Sequence, residues 1–154
     1  MKNIIFRLRK ENFNFHNVLN INSYKKIQFF LYKMKAIIAV NNLGYIGNDN
    51  SIPWYCKEDL KHFKNKTMHQ TCLVGHNTYK TLPPLKYRRI IVDRRDKYNL
   101  VAEWCIGGKK TYEKYCHLFT ELHISHINDN TIGDVKYPSL DNLSKECKIY
   151  NYSF

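Results

Sequence analysis

The segment IGNDNSIPWYCKEDLKHF, residues 46–63, contains a polar loop with a glycine, a Pro-Trp pair and a short amphipathic helix. Helical spacing predicts one inward-facing stripe on that helix, formed by Cys56, Asp59, Leu60, Phe63 and Thr67. A buried charge requires a partner, because an unpaired charge is costly to remove from water. Asp59 is therefore a candidate site residue. The alternative is that it only complements the dipole at the helix N-terminus.

Short apolar runs on both sides of this segment predict strands that alternate with helices. The strands are expected at residues 35–40, 71–75, 88–93, 101–106, 121–127 and 148–154. Helices are expected after Cys56, after Gly75 up to the Pro83-Pro84 pair, and at residues 109–119. Residues 45–52 are expected to form a mobile loop able to close over a ligand. Alternation of this kind predicts an α/β fold.

Three predicted strands end in residues suited to binding phosphate. One strand ends at Gly75 and another at Gly107-Gly108, and each precedes a predicted helix. Free backbone N–H groups at such junctions can bind phosphate, and ligands bind at the carboxyl edge of open α/β sheets. The third strand is followed by Arg94 and Arg95, which can bind phosphate or carboxylate in a bidentate manner. Simple turns and solvated arginines are the alternatives.

Composition bounds the class of protein. The 154 residues are enough for one domain with a core, and no run is long enough to span a bilayer. The five cysteines show no metal-binding or disulfide spacing, so reduced thiols in the cytoplasm are expected, and no metal is predicted. The net charge of +12 is shared evenly between residues 1–33 and the rest, which is weak support for nucleic-acid binding.

Residues 1–33 are rich in Asn, Lys and Phe, and they precede Met34, where the first strand pattern begins. We expect an N-terminal extension outside the fold at 1–33 and a single domain at 34–154. An upstream start codon or an organelle-targeting peptide are alternatives for this stretch.

Several ordered motifs in residues 34–138 resemble the dihydrofolate reductase family. They are Ile46-Gly47, Pro53-Trp54 with Asp59 six residues after the proline, Gly75 to Thr78, Ile106-Gly107-Gly108 with Tyr112, Ser125-His126-Ile127, Gly133-Asp134 and Tyr137-Pro138. The resemblance implies a three-layer α/β fold with a mixed, mostly parallel central sheet flanked by helices. It also implies reduction of dihydrofolate by hydride transfer from NADPH, a folate substrate and inhibition by antifolates.

The resemblance further assigns residues to roles. The catalytic residues would be Asp59, which holds the pterin, Trp54, which holds a water molecule, and Tyr112, which lies against the nicotinamide. Substrate would be bound by Ile37, Ala39, Asp59, Leu60, Phe63, Leu82, Leu85, Arg88, Ile106 and Ser125. NADPH would be bound by Ala39, Tyr45, Ile46, Gly47, Asn50, Ser51, Ile52, Gly75, His76, Asn77, Thr78, Arg94, Arg95, Gly107, Gly108, Lys109, Lys110 and Thr111.

The sequence also departs from the family pattern. Lys109 and His76 replace a usual glycine and arginine, and few residues separate Arg94 from Trp104. These departures imply a short, trimmed, phage-type member, reduced at the adenosine subdomain and the C-terminal hairpin. An open sheet edge would remain, to be covered by a second subunit in a homodimer or by residues 1–33, unless the chain is a monomer.

Two other functions stay open at this stage. One is a degenerate, non-catalytic relative that binds folate or nucleotide as a structural component, such as part of a virus particle. The other is a pyrimidine reductase of riboflavin synthesis, which shares the fold. Asp59 and the Pro53-Trp54 pair favour the folate enzyme over both.

Overall fold

The computed structural model describes residues 33–49 and 51–154. Residues 1–32 of the expected extension, and Asn50 of the expected cofactor site, lie outside the described residues. The strands are β1 Met34–Asn41, β2 Tyr45–Gly47, β3 Thr71–Val74, β4 Arg89–Val92, β5 Trp104–Cys105, β6 Phe119–Ile127, β7 Val135–Lys136 and β8 Lys148–Ser153. The α-helices are α1 Lys57–Thr67, α2 His76–Thr81 and α3 Lys109–Tyr115, and a 3-10 turn, Cys116–Leu118, follows α3.

Six strands form the central sheet in the order β4-β3-β5-β1-β6-β8. Each neighbouring pair in that sheet is parallel. The antiparallel pair, β2 with β7, forms a separate two-stranded sheet. The predicted α/β fold with a mostly parallel sheet is confirmed. Because the strands run the same way, the residues that follow β3, β4 and β5 lie at one edge of the sheet.

The first strand lies at the centre of the sheet. It pairs with β6 from Lys35 opposite Glu121 to Asn41 opposite Ile127, and with β5 on its other side. Its run of apolar residues suits this position, because a central parallel strand is covered on both faces. Ile38 packs on one face in the main core, and Ile37 packs on the other with Cys72 and Trp104.

The start of α1 and the end of α2 lie where the charges and prolines of the sequence predict them. Helix α1 has acids in its first turn and lysines in its last turn, which complement the helix dipole. Helix α2 ends at Thr81, just before Pro83-Pro84. Among the residues described, no helix has the length and apolar character needed to cross a membrane.

Several predicted bounds were wrong. The fourth strand is only Trp104–Cys105, because residues 99–103 form a turn held by the Asn99 side chain. Helix α3 ends at Tyr115 instead of residue 119, and Phe119 opens β6. The expected loop at residues 45–52 begins with a strand, β2, which pairs with β7.

Candidate active site

Asp59 is buried on α1, with 8 % of its surface exposed. Within the described part of the chain, no hydrogen bond or ion pair to its carboxylate is present, although its charge is felt by His62 and Tyr112. An acid in the first turn of a helix can complement the helix dipole while it remains exposed, as Glu58 does in α1. The dipole alone therefore does not explain why Asp59 is buried. A buried carboxylate without a protein partner among the described residues has the capacity to accept hydrogen bonds from water or a ligand.

An apolar cluster brings three of the predicted substrate residues together. Ile37 on β1 packs with Phe63 on α1 and Ile106 at the end of β5. Leu60 departs from the predicted inward stripe, because 47 % of its surface is exposed. The side of α1 that carries Leu60 is thus open to solvent.

Tyr112 connects α3 to the central strand. Its hydroxyl donates a hydrogen bond of 2.7 Å to the carbonyl oxygen of Ile37. Burial raises the pKa of Tyr112 well above its usual value, and the negative charge of Asp59 adds to the shift. The phenol is a hydrogen-bond donor to β1 and a packing surface for Gly107.

Ser125 lies on β6 directly opposite Ala39 of β1. Its side chain is buried, yet its Oγ has no hydrogen-bond partner among the described atoms. Buried hydroxyls are usually satisfied, so this one has capacity for a water molecule or a ligand.

Two glycine junctions at the carboxyl edge of the sheet meet each other. The N–H of Gly75 donates a hydrogen bond of 2.6 Å to the carbonyl of Gly107. A Cβ on Gly75 would lie 2.5 Å from Thr111 Oγ1, and one on Gly108 would lie 2.7 Å from Thr78 Oγ1. Gly107, with a φ of +115°, also packs on the Tyr112 ring. Only glycines allow this close approach of α2 and α3. Gly107 is buried, and Gly75 and Gly108 are half-buried.

Arg88 precedes β4 at the amino edge of the sheet. Its Nε and one Nη atom are buried and have no hydrogen-bond partner among the described residues. The guanidinium is the preferred group for a bidentate contact with a carboxylate. Arg88 is therefore available to bind an anionic ligand.

Two clefts lie near the residues described above, one next to the start of α1 and one at the end of β4. The larger one, about 390 Å³, lies beside Asp59 and not over it. It is lined by Trp54, Tyr55, Cys56, Lys57, Glu58, Ile127, Asn128, Asp129 and Phe154. The smaller one, about 310 Å³, lies at the carboxyl end of β4 and is lined in part by Arg94 but not by Arg95; both arginines are exposed.

The loop after β2 is tethered to the segment before β7. The N–H of Asp49 donates to Oδ2 of Asp134 at 3.1 Å, and the N–H of Asp134 donates to the carbonyl of Gly47 at 3.0 Å. Gly133 lies so close to Gly47 that a side chain there would collide with its carbonyl oxygen. One carboxylate and one glycine thus hold this loop in place.

The buried His123 and the half-buried His62, behind the site, couple stability to pH. With a neutral ring, His123 donates from Nε2 to Glu121 at 2.8 Å and accepts at Nδ1 from Tyr152 at 2.9 Å. His62 on α1 packs against the Tyr152 ring at 4.2 Å. Burial, together with the charge of Lys66, lowers the pKa of both histidines below 6.5.

We expect the melting temperature to fall as the pH drops below 6.5, because the unfolded chain then binds protons that the folded chain resists. Above pH 6.5 the contribution of the two histidines to stability is fully present. Thermal unfolding between about pH 7.5 and about pH 5.5 measures the slope. The double variant His62→Gln, His123→Gln should flatten that slope. His126→Gln, at an exposed position on the same strand as His123, is the control and should leave it unchanged; equal slopes in all three proteins would contradict the assignment.

The comparisons with known proteins agree on one family. The family model for dihydrofolate reductase matches residues 33–105. The dihydrofolate reductases of Mycoplasma genitalium and Mycoplasma pneumoniae are 45 % identical over 126 residues and 41 % identical over 135 residues. These alignments cover 64 % and 70 % of this chain, and 79 % and 84 % of the relatives. The chain belongs to the dihydrofolate reductase family.

Two further matches support the same family. The dihydrofolate reductase of Buchnera aphidicola subsp. Schizaphis graminum is 30 % identical over 143 residues, covering 79 % of this chain and 86 % of the relative. A solved structure, dihydrofolate reductase from Enterococcus faecalis complexed with NADP(H) and RAB-propyl, superposes with a TM-score of 0.61 at 25 % identity. It covers 71 % of this chain and 79 % of that one.

In this dihydrofolate reductase several predicted residues come together in three places. Ile37, Phe63 and Ile106 share one apolar cluster, Gly75, Gly107 and Gly108 form the glycine junctions, and Tyr45–Gly47 form β2 before the tethered loop. Leu82 and Leu85 are half-buried in the segment between α2 and β4, whereas His76, Asn77, Lys110 and Ile52 are exposed.

Sequence reasoning did not assign site roles to four residues of the reductase. Asp49 and Asp134 hold the loop, and Asp93 and Lys114 form an ion pair of 3.1 Å beside the smaller cleft. The Gly133-Asp134 motif was a signal for the first pair. No spacing rule signals the second pair, because 21 residues separate its members along the chain.

Proposed function

We propose that the residues around Asp59 and the two glycine junctions carry out the reaction of the family in this chain, the NADPH-dependent reduction of 7,8-dihydrofolate to tetrahydrofolate. The observation that carries this proposal is the buried Asp59 carboxylate, which has no protein partner among the described residues. A pterin presents an amino group and an adjacent ring N–H side by side, and a carboxylate accepts both hydrogen bonds.

Asp59 holds the pterin and favours its protonated form electrostatically, because the negative charge stabilises positive charge that develops on the ring. To Trp54 we assign the water that delivers the proton, and its position in the lining of the larger cleft next to the start of α1 supports this role. Ser125 offers a second polar contact through its unpartnered Oγ. Ile37, Phe63 and Ile106 bind the apolar faces of the substrate.

Arg88 binds the glutamate carboxylate of the substrate with its unpartnered guanidinium nitrogens. Leu82 and Leu85 pack on the aminobenzoyl group between the pterin and that carboxylate. The substrate thus extends from Asp59 towards the amino edge of β4.

NADPH supplies the hydride when it is bound. The fit of a dinucleotide is supported by the cradle at Gly75 and Gly108, which a Cβ would fill. Thr78, Lys109 and Thr111 surround that cradle, and Arg94 and Arg95 bind the adenosine end. Tyr112 and Ala39 position the nicotinamide beside the pterin, and the loop after β2 excludes water from both rings.

The test is the loss of NADPH absorbance on addition of dihydrofolate, measured on the full chain. Turnover that a competitive antifolate such as methotrexate abolishes would support the proposal. Binding of NADPH and methotrexate without turnover would favour a non-catalytic relative. Turnover of the pyrimidine substrate of riboflavin synthesis in place of dihydrofolate would reassign the site.

The loop tether gives a separate prediction. We expect Asp134→Ala to lower kcat roughly 3–10-fold, because losing the hydrogen bond from Asp49 to a charged acceptor depopulates the closed loop. Steady-state kinetics and thermal unfolding measure the two effects. Asp141→Ala, in an exposed turn, is the matched control. A change in melting temperature with unchanged kcat would show that the tether serves only stability.

A further inference from the structure

The ammonium group of Lys114, on α3, contacts four oxygen atoms of the turn that follows β4. Its ammonium group lies 3.1 Å from each carboxylate oxygen of Asp93, and 2.7 Å from the carbonyl oxygens of Arg94 and Lys97. Only 20 % of the Lys114 side chain and 11 % of the Asp93 side chain are exposed. One lysine therefore connects α3 to the whole of the turn that follows β4.

The next residue on α3 completes this connection. The hydroxyl of Tyr115 donates to Oδ1 of Asp93 at 2.7 Å and accepts from the N–H of Asn99 at 2.7 Å. The Asn99 side chain in turn accepts from the backbone N–H groups of Val101 and Ala102. These bonds fold residues 93–102 into a compact turn in the absence of a helix or strand.

This turn forms the wall of the smaller cleft. Asp93, Arg94, Lys97, Tyr98 and Asn99 line it, next to the end of β4. Arg94 and Lys97 bring positive charge to the cleft, whereas Asp93 brings a carboxylate that would repel a bound phosphate. Because Lys114 pairs with that carboxylate, the repulsion is cancelled and the basic side chains determine the sign of the potential.

We propose that Lys114 is a positioning residue that sets the preference for a 2′-phosphorylated adenosine over an unphosphorylated one. It neutralises Asp93 and fixes the turn that carries Arg94 and Lys97. This inference rests on the proposed function only in placing the adenosine end of the cofactor at this cleft. Lys114 itself contacts the protein and not the phosphate.

The test uses two nucleotide probes that bind without turnover. Adenosine 2′,5′-bisphosphate and adenosine 5′-monophosphate are titrated into the full chain by calorimetry, and the ratio of their dissociation constants is the readout. We expect Lys114→Met to lower the preference for the bisphosphate roughly 10–100-fold, because the unpaired Asp93 carboxylate would then repel the 2′-phosphate. Lys145→Met, an exposed lysine in the turn before β8, is the control and should leave the ratio unchanged.

A second variant gives the opposite sign and guards against misfolding of the first. Asp93→Asn keeps an oxygen acceptor for Tyr115 but removes the carboxylate charge, so the preference for the bisphosphate should rise. A ratio within about threefold of the wild-type value in both variants would overturn the proposal. Failure of the wild-type chain to reduce dihydrofolate would instead count against the proposed function, because the nucleotide ratio is read without turnover.

Discussion

Replacing Asp59 by asparagine is expected to lower kcat/KM for dihydrofolate by a factor on the order of 10²–10⁴ at neutral pH. The amide keeps the size of the side chain but cannot stabilise a protonated pterin by charge. The amide NH2 group would also face an N–H donor of the ligand, so one of the two hydrogen bonds would be lost. The carboxylate is buried without a partner among the described residues, so the variant should unfold at the same temperature or higher.

Glu58→Gln is the matched control for this variant. Glu58 lies in the same first turn of α1 and carries the same charge, but it is exposed. If Asp59 only complemented the helix dipole, the two variants would have equal, small effects on stability and none on turnover. If kcat/KM of Asp59→Asn lay within twofold of the wild-type value, Asp59 would be assigned only the role of complementing the helix dipole.

Gly75→Ala is expected to weaken NADPH binding with little effect on the binding of dihydrofolate. Its backbone has a φ of −68°, which alanine adopts without strain, so the effect is steric. The new Cβ would lie 2.5 Å from Thr111 Oγ1 and would separate the two glycine junctions. Overpacking of this kind costs about 1–3 kcal/mol, which corresponds to roughly 5–150-fold in affinity.

A second substitution separates this steric effect from general destabilisation. Thr111→Ala removes the atom that the new Cβ would meet, so the double variant should bind NADPH better than Gly75→Ala alone. The single variant Thr111→Ala supplies the baseline for the comparison. Fluorescence titration of NADPH measures all four proteins, and the absence of any rescue would show that the two junctions do not meet as described.

The fold was largely predictable from the sequence because the apolar runs are short and clearly bounded. Short apolar or alternating runs were sufficient to place β1, β3 and β6. The prolines after α2 were sufficient to place the end of that helix. The pairing of β2 with β7 was not predictable, because it joins Tyr45 to Lys136 across most of the domain. The short extent of β5 was also missed, since the side chain of Asn99 forms bonds that no local pattern shows.

The candidate site likewise has features that the sequence predicts and features that it does not. Asp59 was predictable because a carboxylate on an apolar stripe violates a local rule, and such violations mark functional positions. The contact of Gly75 with Gly107 depends on the order of strands in the sheet, which the sequence alone does not determine. The roles of Lys114 and Asp93 depend on a turn with no regular structure, where side-chain contacts replace periodicity.

The central position of β1 has a consequence for how the chain folds during synthesis. Lys35 pairs with Glu121, 86 residues further along the chain, so the ribosome makes β1 long before its partner. At about 5–20 residues per second the interval is about 4–17 s. Its other neighbour, β5, is made earlier, because Trp104 follows Lys35 by 69 residues. A strand that is apolar on both faces therefore waits for each of its two neighbours, and its pairing with β6 is the later of the two to become possible during synthesis.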